Sequence, residues 1–139
     1  MADRVRDIMQ RKLVTISASE RLSTVEDIMT LGRVRHIPVV QGGRLVGVVS
    51  ERDLLRASLS NLSEHRDAER RAFLHVVEIA RVMSTPPRVI APEARVDEAA
   101  RIMAQRKIGC LPVVEQDRLI GLLTETDVLR WVVGLSAQS

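Results

Sequence analysis

An α/β (α+β) protein made of two β-α-β-β-α repeats is predicted by three observations. The first is an internal repeat: His36-Ile37-Pro38-Val39-Val40 returns as Cys110-Leu111-Pro112-Val113-Val114. The same offset carries Met9 onto Met83, Ile28-Met29 onto Ile102-Met103, Gly47 onto Gly121, Asp53 onto Asp127 and Leu55-Arg56 onto Leu129-Arg130. No gap is needed between Val5 and Arg56. A fixed offset of this kind marks a duplicated structural unit. The second observation is that each copy alternates short apolar runs, typical of strands, with apolar residues at helical spacing. The third is Gln41-Gly42-Gly43-Arg44, a hairpin turn between two apolar runs.

In chain order, each copy opens on a short helical turn that ends near Met9 or Met83. Leu13 to Ser17 and Arg88 to Ala91 are short, mostly apolar runs that read as strands. Leu22, Val25, Ile28 and Met29 then fall on one helical face, kept in the second copy as Val96, Ala99, Ile102 and Met103. Ser23 and Glu26 have capping-box spacing. Gly32 is expected to close this helix in the left-handed conformation. Ile37 to Val40 and Leu45 to Val49 are strands joined by the hairpin, and Glu115-Gln116-Asp117-Arg118 does the same work without glycine. A helix follows from Glu51 and another from Glu125.

The repeats are assigned to residues 1–60 and 79–139, with a connector over 61–78. In the connector Asn61-Leu62-Ser63 is a break, Glu64 to Arg71 a charged helical stretch, and Phe73, Val76 and Val77 an apolar edge. A solvated connector helix packed on the module is expected in preference to a partner contact.

Composition bounds the function. Of 139 residues, 45% are apolar and 28% charged, a globular balance that can bury a core. Phe73 and Trp131 are the only aromatics, so the core must be Val, Ile, Leu, Met and Ala, with Met9, Met29, Met83 and Met103 as packing groups. The net charge of +3 rests on basic residues that are nearly all arginine and scattered. So few aromatics argue against base stacking on single strands, leaving the basic balance as the only feature that favours nucleic acid. Cys110 is alone, which excludes an intrachain disulfide and a cysteine zinc site. His65 and His75 lack metal-ligand spacing with each other or with Cys110. No secretory pattern and no apolar run of membrane-spanning length is present, and a cytoplasmic location is the default expectation. No nucleophile–base pair, metal cluster or glycine-rich phosphate loop is visible, so an enzyme is the least supported class. Trp131, Val132, Val133 and Leu135 form an apolar stripe read as a dimer contact in preference to core.

The segment richest in chemistry is Gly47-Val48-Val49-Ser50-Glu51-Arg52-Asp53, which returns as Gly121-Leu122-Leu123-Thr124-Glu125-Thr126-Asp127. A hydroxyl followed three residues on by an acid at a helix start is a capping box, which needs no ligand. The same geometry suits a ligand. A helix N-terminus offers N–H donors to a phosphate, the hydroxyl adds a donor, and the carboxylate can accept from two ribose hydroxyls.

Asp7-Ile8-Met9, the two apolar-x-Pro-Val-Val strands, Gly47 to Asp53 and Gly121 to Asp127 together resemble cystathionine-β-synthase (CBS) domains over nearly the whole sequence. The resemblance is to a tandem pair, or Bateman module. It implies two domains packed about a pseudo-twofold axis, clefts between them for AMP, ADP, ATP or S-adenosylmethionine, and pairing of modules into a flat homodimer. It further implies that Asp53 with Ser50, and Asp127 with Thr124 and Thr126, read ribose and phosphate. Each cleft of the family mixes the Asp of one repeat with strand residues of the other. Asp127 would face Thr15, Ile16, Arg35 and His36, beside Ile37 and Pro38. Asp53 would face Val89, Ile90, Gly109 and Cys110, beside Leu111 and Pro112. Arg52 stands where the pattern prefers a hydroxyl, and Arg81 where it prefers an acid. The Asp127 cleft, with two hydroxyls and the basic candidates Arg35 and His36, is expected to be the better nucleotide site. His36 has a plain reading as a satisfied structural residue.

The function implied is a regulatory ligand-sensing module whose output passes to an effector protein or through assembly. The alternatives are an interaction module whose clefts stay empty and, with less support, a nucleic-acid binder.

Overall fold

In the computed structural model the described residues are 4–60 and 67–135, and the chain divides into two compact units. One is continuous, Val14–Pro87; the other has two segments, Met1–Leu13 and Arg88–Ser139. The elements are α1 (Val5–Ile8), β1 (Ile16–Ser17), α2 (Leu22–Gly32), β2 (His36–Gln41), β3 (Arg44–Ser50), α3 (Glu51–Ser60), α4 (Asp67–Val76), a 3-10 turn (Ile79–Arg81), α5 (Val96–Arg106), β4 (Cys110–Glu115), β5 (Arg118–Thr124) and α6 (Glu125–Val132). The α/β repeat predicted from the sequence is present in both copies.

Strand alternation builds each core. In the continuous unit Ile37, Val39 and Val49 are fully buried against Leu22, Val25 and Met29 of α2. In the two-segment unit Leu111, Val113 and Leu123 take those places against Val96, Ala99 and Met103 of α5. Both hairpins need positive φ at both turn residues. Gly42 and Gly43 have φ of 56° and 78°, while Gln116 and Asp117 hold 51° and 64° against the steric cost that a side chain brings there. Both hairpins also shift register at the same place, between Val39 and Val40 and between Val113 and Val114. This leaves Val46 and Ile120 as the extra residues of a bulge next to Gly47 and Gly121.

A crossing segment meets each bulged strand. Ser84 exchanges backbone hydrogen bonds with Val48 (2.8 and 3.1 Å), and Gln10 does so with Leu122 (2.8 and 3.0 Å). The crossing leaves no room at the glycine before: a Cβ on Gly47 would lie 2.8 Å from the Met83 sulfur and 2.8 Å from the Ser84 carbonyl oxygen. The compact units thus cut across the sequence repeats. The opening segment of copy one, with Val5, Ile8 and Met9 buried, packs in the core of the two-segment unit. The opening of copy two, with Ile79 fully buried, packs in the continuous unit.

Three local expectations are corrected. The left-handed residue after α2 is Arg33 (φ 52°), not Gly32, and Lys107 (φ 55°) repeats it after α5. Ser23 and Glu26 form no capping box; Arg21 is the N-cap and makes no side-chain cap bond. Ser23 is buried, its hydroxyl 3.1 Å from His75 Nδ1, and Glu26 pairs with Arg70 (2.5 Å) and Arg71 (2.6 Å) of α4. Burial raises the Glu26 carboxyl, but the hydrogen bonds and charges of the two arginines outweigh it and hold the group below its usual value. Third, the strands expected over Leu13 to Ser17 and Arg88 to Ala91 shrink to Ile16–Ser17, parallel to Val39-Val40, and a single bridge from Ile90 to Val113. Only Ile16 and Ile90 bury their side chains there; Val14 and Val89 are 48% and 43% exposed, so longer pairing would bury little more.

The connector contributes α4, which packs on α2 through Leu74, fully buried, and through the Arg70 and Arg71 pairs. Asn61, Leu62, Ser63, Glu64, His65 and Arg66 lie outside the described residues. Phe73 and Trp131 flank the cores half-buried, so the cores themselves are aliphatic. Among the described residues no helix is long and apolar enough to cross a membrane, and no group of three or more His, Cys, Asp and Glu could hold a metal ion.

Candidate functional site

Each hairpin delivers its last strand directly into a helix, and the junction is a reciprocal cap. In the continuous unit the Ser50 N–H and hydroxyl donate to Asp53 Oδ2 at 2.8 and 3.0 Å, and the Asp53 N–H donates back to the Ser50 oxygen at 3.1 Å. In the two-segment unit the Thr124 N–H and hydroxyl donate to Asp127 Oδ2 at 2.8 and 2.9 Å, and the Asp127 N–H returns to Thr124 Oγ1 at 3.3 Å. The capping box read from the sequence is therefore formed in both copies. It uses one carboxylate oxygen and leaves Oδ1 of each aspartate outside the cap.

The helix starts are also furnished alike. The Glu51 N–H donates to the Arg35 carbonyl (2.8 Å), and the Glu125 N–H to the Gly109 carbonyl (3.0 Å). Third-position N–H groups serve the caps. Each helix start is left with one N–H, that of Arg52 and that of Thr126, which makes no hydrogen bond among the described residues. Such a donor at the positive end of a helix suits an anion.

The two carboxylates differ in what else they meet. Asp53 is half-buried, and its Oδ1 accepts no hydrogen bond among the described residues. Asp127 is 5% exposed, and Gln10 Nε2 lies 3.3 Å from both of its oxygens. Gln10 was not among the residues singled out from the sequence. The available signal is the offset, which sets Gln10 against Ser84, a side chain too short to make the same reach.

The other candidates divide between the units. The continuous unit holds Thr15, Ile16, Arg35, His36, Ile37, Pro38, Ser50 and Asp53, with His36 paired across the hairpin to Ser50. The two-segment unit holds Val89, Ile90, Cys110, Leu111, Pro112, Thr124, Thr126 and Asp127, with Cys110 paired to Thr124. Ile37 and Leu111 commit their side chains wholly to the cores, and Ile16, Ile90, Pro38, Pro112 and Cys110 are buried. Thr15, Arg35, Val89 and Thr126 are exposed.

Comparison with known proteins adds the following. The family described as CBS domain matches residues 5–60 and 78–134. A CBS domain-containing protein of Dictyostelium discoideum is 30% identical over 127 residues, which is 90% of this chain and 88% of that one. The solved structure of a protein assigned to acetoin utilization (AcuB) in Vibrio cholerae is similar with a TM-score of 0.79 at 32% identity, over 96% of this chain and 93% of that one. A structure described as CBSX2 in complex with AMP is similar with a TM-score of 0.80 at 26% identity, over 96% and 98% of the two chains.

Proposed function

The chain belongs to the CBS-domain family as a tandem pair, and from that premise we propose that it is a regulatory module that senses an adenosine-containing ligand. The observation that carries the proposal is the duplicated cap. Ser50–Asp53 and Thr124–Asp127 each hold a carboxylate at a helix start with one oxygen fixed and the other outside the cap. An ionised carboxylate only accepts, and a ribose diol donates twice, so the pair is matched. The spare N–H at residue 52 or 126 is placed for a phosphate or another anionic group. AMP, ADP, ATP and S-adenosylmethionine all carry the ribose that this chemistry reads. The AMP complex of a relative 26% identical supports the adenosine class. Thr15, Ile16, Arg35, His36, Pro38, Val89, Ile90, Cys110, Pro112 and Thr126 complete the proposed set of ligand contacts, while Ile37 and Leu111, fully buried, serve the cores behind them.

Calorimetric titration of ligand-free protein with these four compounds tests the reading. At least one is expected to bind saturably, and the double variant Asp53→Ala/Asp127→Ala to lose that binding by tenfold or more, about the effect of deleting a charge-assisted hydrogen-bond pair. No binding across the panel would favour the interaction module with its caps serving only the helices.

Self-association is the second part of the proposal. Leu55 and Leu59 of α3, Leu129 and Val132 of α6, and Val133 just after it are each more than half exposed. Equivalent apolar faces on both copies suit pairing of two modules into a homodimer, through which a ligand-induced change passes to an effector protein. Sedimentation velocity is expected to show a dimer that Leu129→Asp dissociates; a monomer at all concentrations would remove this part.

A further inference from the structure

We infer that Gln10 competes with the ligand for Asp127, so that the two aspartates fill in a fixed order, Asp53 first. The inference rests on the adenosine-sensing reading and adds what decides between its two aspartates. The Gln10 amide nitrogen sits 3.3 Å from both Asp127 oxygens, spanning the carboxylate edge that a vicinal diol would span. With Thr124 already donating twice to Oδ2, the side chain meets three protein donors, and at 5% exposure it has little room for a fourth. A ribose can bind only after the amide has left. At 3.3 Å, beyond the usual range for a charge-assisted bond, the amide is a displaceable occupant, not a permanent one.

The other copy supplies the control within the same chain. Gln10 crosses Leu122 as Ser84 crosses Val48, with matching backbone hydrogen bonds. Yet Ser84 makes no bond to Asp53, whose Oδ1 stays uncapped. The difference is one side chain on an otherwise shared frame. Thr124 and Thr126 make the Asp127 side the richer in hydroxyls, so removing the amide should make it the tighter of the two. The backbone bonds of residues 10 and 84 do not depend on their side chains, so exchanging the side chains preserves the crossing.

The test is a reciprocal exchange read by calorimetry with AMP and ATP, on the full chain. In the unaltered protein the first, tighter equivalent of nucleotide should be lost in Asp53→Ala and the second, weaker one in Asp127→Ala. Gln10→Ser should tighten Asp127-dependent binding about tenfold, the scale of one displaced hydrogen bond to a charge. Ser84→Gln should weaken Asp53-dependent binding by a similar factor. The side-chain amide of Gln10, followed by 15N NMR, should shift on saturation with AMP and shift likewise in Asp127→Asn. If the unaltered protein binds AMP or ATP but Gln10→Ser leaves Asp127-dependent binding unchanged or weaker, the competition is overturned and the sensing reading stands. If neither the unaltered protein nor Gln10→Ser binds either nucleotide, the sensing reading fails and the competition falls with it.

Discussion

Gly47→Ala should destabilise the continuous unit by about 2–3 kcal/mol, the upper range for forcing an atom into a filled interior. The new methyl would meet the Met83 sulfur and the Ser84 carbonyl oxygen, both at 2.8 Å. A methionine tail can swing aside, but the carbonyl is backbone, held by the Val48 N–H at 3.1 Å. Relief therefore requires moving the crossing segment or the strand. Gly121→Ala provides the comparison. There the close atoms are the Met9 sulfur at 2.5 Å and its Cγ at 3.0 Å, with the Gln10 carbonyl at 3.1 Å. Most of that clash is a flexible side chain, and the expected loss is about 1 kcal/mol. Urea unfolding followed by circular dichroism measures the first. Trp131, the single tryptophan, packs against the core of the two-segment unit, so its fluorescence measures the second. Equal losses at both glycines, or none at Gly47, would mean that the crossing segment is not held against β3 as described.

Leu74→Ala should cost the continuous unit about 3 kcal/mol, within the usual span for emptying a fully buried leucine site. Leu74 lies on α4, between the repeats in sequence, yet no part of it is exposed and it sits among Leu22, Val25 and Ile79 in one core. A solvated linker would tolerate the same change within a few tenths of a kcal/mol. Exposed Val76 on the same helix is the matched control, and Val76→Ala should leave the urea midpoint in place. Insensitivity at Leu74 would mean that α4 contributes nothing to the unit.

How far the sequence speaks depends on how local each cause is. The caps at Ser50–Asp53 and Thr124–Asp127 were legible because donor and acceptor lie three residues apart. Both hairpins were legible too, the second because the offset lends Gln116-Asp117 the turn that Gly42-Gly43 announces. Gly32 misled because glycine is the usual left-handed residue; its partner in copy two is Arg106, which already indicates that glycine is not required there. Ser23 and Glu26 have the spacing of a cap but are claimed by His75, Arg70 and Arg71 on α4, partners invisible to a local pattern. Gln10 is the extreme case, reaching Asp127 from the opposite end of the sequence. Packing across such separations overrides local preference, and it decides which of two similar aspartates stands open.

The segment exchange between copies has a consequence during synthesis. Translation runs from N- to C-terminus, so the residues up to Leu13 leave the ribosome before the strands and helices they pack against, which begin only at Arg88. At about 5–20 residues per second the nascent opening segment waits several seconds with Val5, Ile8 and Met9 unsheltered. In that interval Val14–Pro87 emerges whole, with its own crossing segment included, and can fold as a unit. The residues up to Leu13 thus find their place only after a whole intervening unit has been made.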